Sequence, residues 1–461
     1  MRKQWIVFVG ALVASAAGAL ACGNDTLVAP LDGGSDAEAD ATSDGSASAD
    51  SSPVADSGAV DGARSSDAGA GDGEAAAPIP ARLLLSYNAG AQSELSVFGL
   101  PSGKVDGDLL YPAMFGAAAT TPTSPWLLEQ SNDVVARLDP NQPWVVQSTW
   151  NVALNDETDA GFSAPYADPD AIVVTAGTKA YVLRYTRNLI AVLGDTSANV
   201  DGGVPTSTID LSSQVQAAGD GYVEMTAGYY DPTTQRVYVL LANINRFDVA
   251  CSGYCQLCSA TNPTLVAIDT TTDQLVTLAA DGGADGGAGY ALQGYAPAFG
   301  PSPMVFDSAN DRLLVLHAGC NVAEADGGVG PLVRRGVEAV SLADGSTQML
   351  LDLTGQAYPQ AIYYVDPHHV VLQLDTAYAW DPSSSTMGPA IPNAPTSFAL
   401  DAQGNLVGVS AVTAADGGYG GWSVVSVSAG DGGVTTLGSS DPFSLSNPNG
   451  FVSGVVLWPA P

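Results

Sequence analysis

The chain has 461 residues, 46% of them hydrophobic, and a formal net charge of −34 at neutral pH. That charge argues against a nucleic-acid-binding protein and against electrostatic docking on anionic membranes, because both need basic patches. The length exceeds what one ordinary core supports, so the chain must contain repeats or several domains.

Residues 1–21 have the pattern of a secretory signal peptide. Two basic residues precede the apolar run Trp5–Ala21, and small residues lie just before Cys22. The run resembles a bacterial lipoprotein signal, which implies that Cys22 is lipidated and anchors the protein facing the periplasm or the cell exterior. It departs from the usual lipobox, because Ala19-Leu20-Ala21 also fits ordinary secretion. A transmembrane helix is the weaker interpretation, since the run is short and rich in Ala and Gly.

Residues 22–80 form a predicted disordered tether. The stretch from Leu31 to Pro80 is almost entirely Ala, Asp, Ser and Gly and has no aromatic residue. Such a composition buries too little apolar surface to offset the entropy lost on ordering. Residues 23–80 contain twelve acidic residues and one basic residue, Arg64. We interpret the acidity mainly as a means of keeping an exported chain soluble.

From Ala81 onward the sequence predicts an all-β domain that extends to residue 461. Turn-forming residues recur about every eight to twelve residues, and no long stretch has a helical apolar period. The clearest segment is Asp170–Leu193, where three apolar runs are separated by Gly177-Thr178-Lys179 and Thr186-Arg187-Asn188. β-Branched and aromatic runs divided by turn formers are typical of a β-meander.

A four-strand unit recurs along this domain, and each first strand ends in an aspartate that begins a tight turn. The first unit lacks its leading strand, which Phe451–Trp458 would supply to close a ring. The sequence therefore predicts a β-propeller of four-stranded antiparallel blades, about seven in number, with six or eight also possible. The predicted strands of the clearest units are Met225–Asp231, Arg236–Ala242, Thr264–Thr270, Leu275–Ala280, Met304–Asp307, Arg312–Leu316, Val337–Leu342, Gln348–Leu353, Ala361–Asp366, Val370–Leu374, Ala377–Trp380, Ser397–Asp401, Leu406–Ser410, Trp422–Val427 and Val434–Leu437.

The segment Ala180–Leu193, AYVLRYTRNLIAVL, resembles YVTN-type β-propeller repeats, and so does RVYVLLANIN from Arg236 together with LVAIDTTTDQLV from Leu265. That group includes surface-layer propellers and lactonase-like enzymes. The YVTN word itself is absent, and Asp-Gly-Gly inserts interrupt the blades. The resemblance implies a fold and no particular reaction, because propellers serve in binding, scaffolding and catalysis.

One face of the propeller is predicted to carry the unusual polar residues. In such blades the loops between second and third strands emerge on the same side. Arginines there could bind a carboxylate or sugar acid, although pairing with local aspartates is the simpler interpretation. The possible ligand face comprises Arg184, Tyr185, Arg187, Asn245, Arg246 and His317.

Four cysteines besides Cys22 are predicted to form two disulfides. Cys251, Cys255 and Cys258 lie in one second-to-third-strand loop and Cys320 lies in the equivalent loop of the next blade. One of the first three can therefore reach Cys320 while the other two pair, with the connectivity left open. A four-thiolate zinc site is the alternative.

No nucleophile motif, P-loop, zinc-protease helix or dinucleotide fingerprint is present in the sequence, so we assign no catalytic residue, metal or cofactor. His368 and His369 are adjacent on a strand and point apart, which disfavours joint metal binding. The sequence predicts an exported, membrane-tethered binding or scaffold module with a protein or carbohydrate partner. The alternatives are a lactonase-like hydrolase acting on a sugar derivative and a purely structural cell-surface protein.

Overall fold

The computed structural model describes residues 81–459 apart from 89–92, 101, 112–116, 122, 155–166, 177, 247, 251–254, 279–288, 299, 326–327, 414–418, 429–432 and 441–450. The predicted signal peptide, Cys22 and the tether lie outside the described residues, as do Cys251 and most Asp-Gly-Gly inserts. Regular structure in the described part is almost entirely β, with two short 3-10 turns at Gln130–Asn132 and Ser212–Gln214. None of the described helices could span a bilayer.

The strands form seven antiparallel sheets that are the blades of a propeller. In chain order, blade 1 holds β1 (Arg82–Asn88), β2 (Ser93–Gly99) and β3 (Lys104–Tyr111), and blade 2 holds β4 (Ala117–Thr120), β5 (Pro125–Glu129), β6 (Val134–Leu138) and β7 (Val146–Asn151). Blade 3 holds β8 (Pro169–Val174), β9 (Ala180–Arg184), β10 (Leu189–Leu193) and β11 (Ser207–Asp210). Blade 4 holds β12 (Met225–Asp231), β13 (Arg236–Leu241), β16 (Thr264–Asp269), β17 (Gln274–Val276) and β18 (Gly289–Ala291), with the inserted hairpin β14 (Val249–Ala250) and β15 (Cys255–Gln256).

Blade 5 holds β19 (Met304–Asp307), β20 (Arg312–His317), β23 (Gly336–Ser341) and β24 (Thr347–Asp352), with the inserted hairpin β21 (Cys320–Ala323) and β22 (Val329–Val333). Blade 6 holds β25 (Ala361–Asp366), β26 (His369–Gln373) and β27 (Ala377–Trp380), and a bridge between Tyr378 and Ala390 stands in for its fourth strand. Blade 7 holds β28 (Ser397–Leu400), β29 (Leu406–Thr413), β30 (Tyr419–Val427) and β31 (Val434–Ser440), and β32 (Phe451–Trp458) completes blade 1.

The ring closes as the sequence predicts. Strand β32 pairs antiparallel with β1, with Arg82 opposite Trp458 and Asn88 opposite Phe451. The first strand of each blade is innermost, because β32 packs beside β4 and β28 while β8 packs beside β12. The prediction of about seven four-stranded blades is confirmed.

The hydrophobic core lies between neighbouring blades. In β9, Tyr181 and Leu183 pack toward blade 4, whereas Ala180 and Val182 pack toward blade 2. Successive side chains on a strand point to opposite faces, so a strand buried on both faces must be apolar at every position. Each fully buried Val or Leu contributes about 1.5–3 kcal/mol. This explains the continuous apolar runs of the sequence.

The ring has two faces that differ in their connections. We call the side of the first-to-second and third-to-fourth connections the turn face, and the opposite side the loop face. The loop face carries the second-to-third connections, including both inserted hairpins, and the links from each fourth strand to the next blade. The six predicted ligand-face residues all lie on the loop face.

One predicted strand is much shorter in the structure, and one innermost strand of the structure had no predicted counterpart. The predicted strand Leu275–Ala280 is shorter, since β17 ends at Val276 and β18 pairs with β16 beyond the insert, with Ala291 opposite Thr264. The innermost strand of blade 2, β4, has the sequence AAAT and no β-branched residue before Thr120. Its register is fixed by packing at the centre of the ring and not by strand propensity.

Candidate functional site on the loop face

Arg184 is fully buried at the end of β9. Its Nε donates to the carbonyl oxygen of Leu189 at 2.8 Å, and its Nη1 donates to those of Val152 and Ala153 at 3.2 and 3.3 Å. The guanidinium therefore ties blade 3 to the chain that leaves blade 2.

His317, at the end of β20, is also fully buried. Its Nε2 lies 3.0 Å from Oε2 of Glu338, which also accepts backbone N–H groups of Gln293 and Gly294. A Cβ atom on Gly294 would lie 2.1 Å from Cγ of His317, so the chain closes tightly over the ring. Burial favours the neutral carboxyl, but the His317 and backbone hydrogen bonds prevail and lower the pKa of Glu338.

Arg246 lies in the loop after β13 and is enclosed by acidic and aromatic groups. Its Nε is 2.6 Å from Oδ2 of Asp220 and 3.5 Å from Oε1 of Glu224, and both carboxyl side chains are fully buried. The guanidinium lies over the rings of Tyr222 and Tyr185, with 4.8 and 5.7 Å to the centroids. We call these five residues the Arg246 clasp.

Asn245 and Arg187 also have protein contacts. The carbonyl oxygen of Asn245 accepts a hydrogen bond from the Gln256 side chain at 2.8 Å. Arg187 is buried, and its Nη1 donates to the carbonyl oxygen of Thr186 at 2.8 Å. The structure thus brings Tyr185, Arg187 and Arg246 together and places Arg184 and His317 inside the fold. A ligand-binding role for these residues stays a prediction.

Next to this group lies a pair of carboxyls at the start of the innermost strand of blade 3, Asp168 and Asp170, which we call the inner acidic pair. Both residues have intermediate exposure as a whole, while protein atoms closely surround both carboxyl groups. Burial and the neighbouring Asp133 raise the pKa of Asp168 to about 6, against the opposing effect of Arg246 and Arg187. Burial and Asp168 raise the pKa of Asp170 well above its usual range, although a hydrogen bond from Gln130 opposes this.

Blade 2 supplies the residues that position the inner acidic pair. Oδ1 of Asp133 accepts the backbone N–H groups of Ala167 and Asp168 at 2.6 and 3.1 Å, which fixes the chain entering β8. The side chain of Gln130 donates to Oδ1 of Asp170 at 3.2 Å. Glu129 precedes Gln130 in the chain, and burial raises its pKa despite a hydrogen bond from Asn132.

Sequence analysis missed the inner acidic pair. The pair flanks Pro169 at the start of a strand, and Gln130 and Asp133 come from another blade, so no local spacing signals their convergence. Within the described part of the chain, no three His, Cys, Asp or Glu residues are placed to hold a metal ion. His369 Nδ1 lies 2.8 Å from Asp366 and His368 Nδ1 lies 3.5 Å from Asp381, on the turn face.

One predicted disulfide is confirmed. Cys258 and Cys320 are bonded, with their Cα atoms 5.0 Å apart, and join the inserts of blades 4 and 5. The backbone N–H of Cys258 also donates to the carbonyl oxygen of Asn321 at 2.9 Å. The bond consumes two of the four thiols, so the alternative of a four-thiolate zinc site is wrong. The side chains of Cys251 and Cys255 lie outside the described part, and their pairing stays a prediction.

The chain is thus a seven-bladed β-propeller with a densely charged loop face. No protein-family profile and no curated protein matches the sequence. Among solved structures, it is similar to a 6-phosphogluconolactonase candidate from Bacteroides fragilis, with 11% identity, a TM-score of 0.47, and coverage of 82% of this chain and 98% of the other. It is also similar to a functionally unknown protein from Desulfotomaculum acetoxidans, with 12% identity, a TM-score of 0.44, and coverage of 77% of this chain and 98% of the other. A third similar structure is AztD from Citrobacter koseri, with 12% identity, a TM-score of 0.41, and coverage of 80% of this chain and 83% of the other. At these values the similarities decide neither family nor activity.

Proposed function

We propose that the propeller is the binding domain of an exported, lipid-anchored protein and that its ligand meets the loop face at the inner acidic pair. The signal-like segment ending at Cys22 and the acidic, aromatic-free stretch before Ala81 support export and tethering. The runs in blades 3 and 4 support a repeat of the YVTN type. The partner is a carbohydrate or a protein that presents comparable polar groups.

The main observation behind this proposal is that the arginines and the inner acidic pair differ in how far other protein groups satisfy them. Arg184 donates to three carbonyl oxygens and Arg246 is enclosed by two carboxyls, so both guanidiniums are compensated internally. Asp168 and Asp170 have intermediate exposure and lie at the start of the innermost strand of blade 3. A carboxyl group with a raised pKa both donates and accepts hydrogen bonds near neutral pH, which suits a hydroxyl-rich ligand such as a sugar derivative.

A hydrolase is the second candidate, and one observation favours it. The two carboxyls of the inner acidic pair have different environments, and the pKa of Asp168 is about 6 while that of Asp170 lies well above its usual range. Two neighbouring carboxyls in different environments can serve as a proton donor and a proton acceptor. The substrate would be a sugar derivative or lactone held at the same place.

Binding is tested by thermal shift and calorimetry on the chain without its signal segment. The panel contains neutral oligosaccharides, sugar acids, lactones and cell-wall fragments. A true ligand at about 100 times its Kd should add about 2.7 kcal/mol of stability. We expect this effect to be lost in Asp170→Asn and retained in Asp344→Asn, which changes an exposed carboxyl on the turn face. Retention of the effect in Asp170→Asn would contradict the proposed site.

Turnover separates the two candidates. Any compound that binds is incubated with the wild-type chain and with Asp168→Asn, and products are followed by mass spectrometry. Hydrolysis that disappears in Asp168→Asn while binding persists would establish the enzyme. Binding without turnover leaves the binding module as the function.

A further inference from the structure

The Arg246 clasp contains two carboxyl groups that lie against the same guanidinium nitrogen. Nε of Arg246 is 2.6 Å from Oδ2 of Asp220 and 3.5 Å from Oε1 of Glu224, and both carboxyl side chains are fully buried. Oε1 of Glu224 has no hydrogen-bond partner among the described residues. A buried carboxylate oxygen without a partner is costly, whereas a protonated carboxyl is a donor that the neighbouring carboxylate can accept. The arrangement therefore indicates that one of the two carboxyls is protonated.

The charges around these carboxyls lead to the same conclusion. Arg246 is the one guanidinium that the described residues place against both of them, so their full ionisation would leave an uncompensated negative charge among buried groups. Tyr185 and Tyr222 cover the guanidinium and bring no positive charge. Asp168 also interacts with Arg246, and Asp168 in turn lies near Asp133 and Arg187. Among these described groups, acids outnumber bases.

The backbone on both sides depends on these carboxyls. Oε2 of Glu224 accepts the N–H of Ile244 at 3.0 Å, and Oδ2 of Asp220 accepts the N–H of Arg246 at 3.2 Å. Asp220 and Glu224 belong to the link that enters blade 4 at β12, whereas Ile244 and Arg246 belong to the loop that leaves β13. The carboxyl pair therefore fastens one loop-face connection to another.

We propose that Asp220 and Glu224 hold one proton between them in the folded protein and that this proton makes the clasp a pH-sensitive fastener. Burial and Asp220 raise the pKa of Glu224 well above its usual value of 4.5, in agreement with the geometry. A group whose pKa is raised by folding contributes stability below its unfolded value and loses it as the pH rises. The clasp should thus loosen toward alkaline pH. This inference does not depend on ligand binding at the inner acidic pair.

The test compares melting temperatures of the wild-type chain and Glu224→Gln between about pH 5 and about pH 8. Glutamine can donate to Asp220 and accept from Ile244 without ionising. We expect the Tm of Glu224→Gln minus that of the wild type to rise with pH, by about 2 °C per pH unit at most. A difference that stays constant over this range would overturn the proposal.

Asp210→Asn is the matched control, because Asp210 lies on the same face and its pKa is lowered by bonds from the side chain and backbone of Ser212. Its Tm difference from the wild type should therefore be constant over the same pH range. Asp220→Asn is the second test variant and covers the case in which Glu224→Gln does not fold. It weakens the contact with Arg246, yet its Tm difference should still rise with pH. A constant difference in folded Asp220→Asn would equally overturn the proposal.

Discussion

Carboxyl groups on the two faces of the propeller have opposite chemistry. On the turn face, Asp195, Asp269, Asp344 and Asp381 each accept a hydrogen bond from the backbone N–H two residues further on, at 2.7–3.0 Å. The Ser or Thr that supplies this N–H also donates a hydrogen bond from its side chain. Together these bonds lower the pKa of each aspartate. On the loop face, burial raises the pKa of Glu94, Glu129, Asp168, Asp170 and Glu224.

The difference shows that the net charge of −34 has no single cause. Turn-face aspartates complete tight turns and remain ionised, which agrees with the interpretation of acidity as an aid to solubility. The five loop-face acids with raised pKa values are withdrawn from water and hold a proton more readily, so they resemble groups that bind ligands or sense pH. The exceptions on the loop face are Glu338, whose partner is His317, and Asp210 and Asp352, which accept the backbone N–H two residues further on.

The covalent link on the loop face should have the largest effect on stability. Replacing Cys258 and Cys320 together by serine opens a loop of sequence separation 62. The entropy of loop closure predicts a loss of about 4 kcal/mol in the free energy of unfolding. Urea denaturation of both proteins, with and without reductant, measures it. If reductant still lowers the stability of the double variant, the effect comes from a bond between the remaining cysteines. If the double variant is as stable as the wild type, the prediction is wrong.

Arg184 should rank next. Replacing Arg184 by methionine leaves three partly or fully buried carbonyl oxygens without their guanidinium, and we expect a loss of about 3 kcal/mol in the free energy of unfolding. The turn-face counterpart is Lys179, whose Nζ lies 2.9 Å from Asp273, with side chains 28% and 26% exposed. Lys179→Met should cost only about 0.5–1 kcal/mol, since exposed ion pairs contribute little. If urea denaturation shows equal losses in the free energy of unfolding for Arg184→Met and Lys179→Met, the predicted difference between the two faces is wrong.

The Glu338–His317 pair should produce an effect of intermediate size that depends on pH. Hydrogen bonds to a charged group contribute about 2 kcal/mol, so Glu338→Gln should be destabilised by that amount at neutral pH. Because the pKa of Glu338 is lowered from 4.5, this contribution is present above that value and is lost as the pH falls below it. Melting curves of both proteins should therefore converge in acid. Parallel curves down to about pH 3 would contradict the assignment.

The smallest effect is expected on the turn face. Asparagine also accepts the backbone N–H in a turn of this kind, so Asp344→Asn should preserve the bond from Ser346. We expect the smallest shift in Tm of all these variants by calorimetry. A shift as large as that of Glu338→Gln would show that turn-face acids are more than turn formers.

The sequence was sufficient for the blades but not for the chemistry of the loop face. Apolar runs such as that of β9 identify strands because both of their faces are buried, and Phe451–Trp458 identifies the closing strand by its isolated apolar pattern. Strand β4 could not be predicted from the sequence, because its alanines suit close packing at the centre of the ring and have low strand propensity. The inner acidic pair escaped because Gln130, Asp133 and Asp168 converge from connections whose course only the tertiary structure shows.

The pairing of β32 with β1 also means that blade 1 is completed only after the rest of the propeller has been synthesised. Strand β1 is made first and its partner β32 last, and hundreds of residues separate them. Until β32 arrives, β1 presents an open edge able to pair with other chains. Contacts so distant in sequence form slowly. The interval before closure is therefore when this protein is most exposed to aggregation, and a chaperone would protect it most by covering β1.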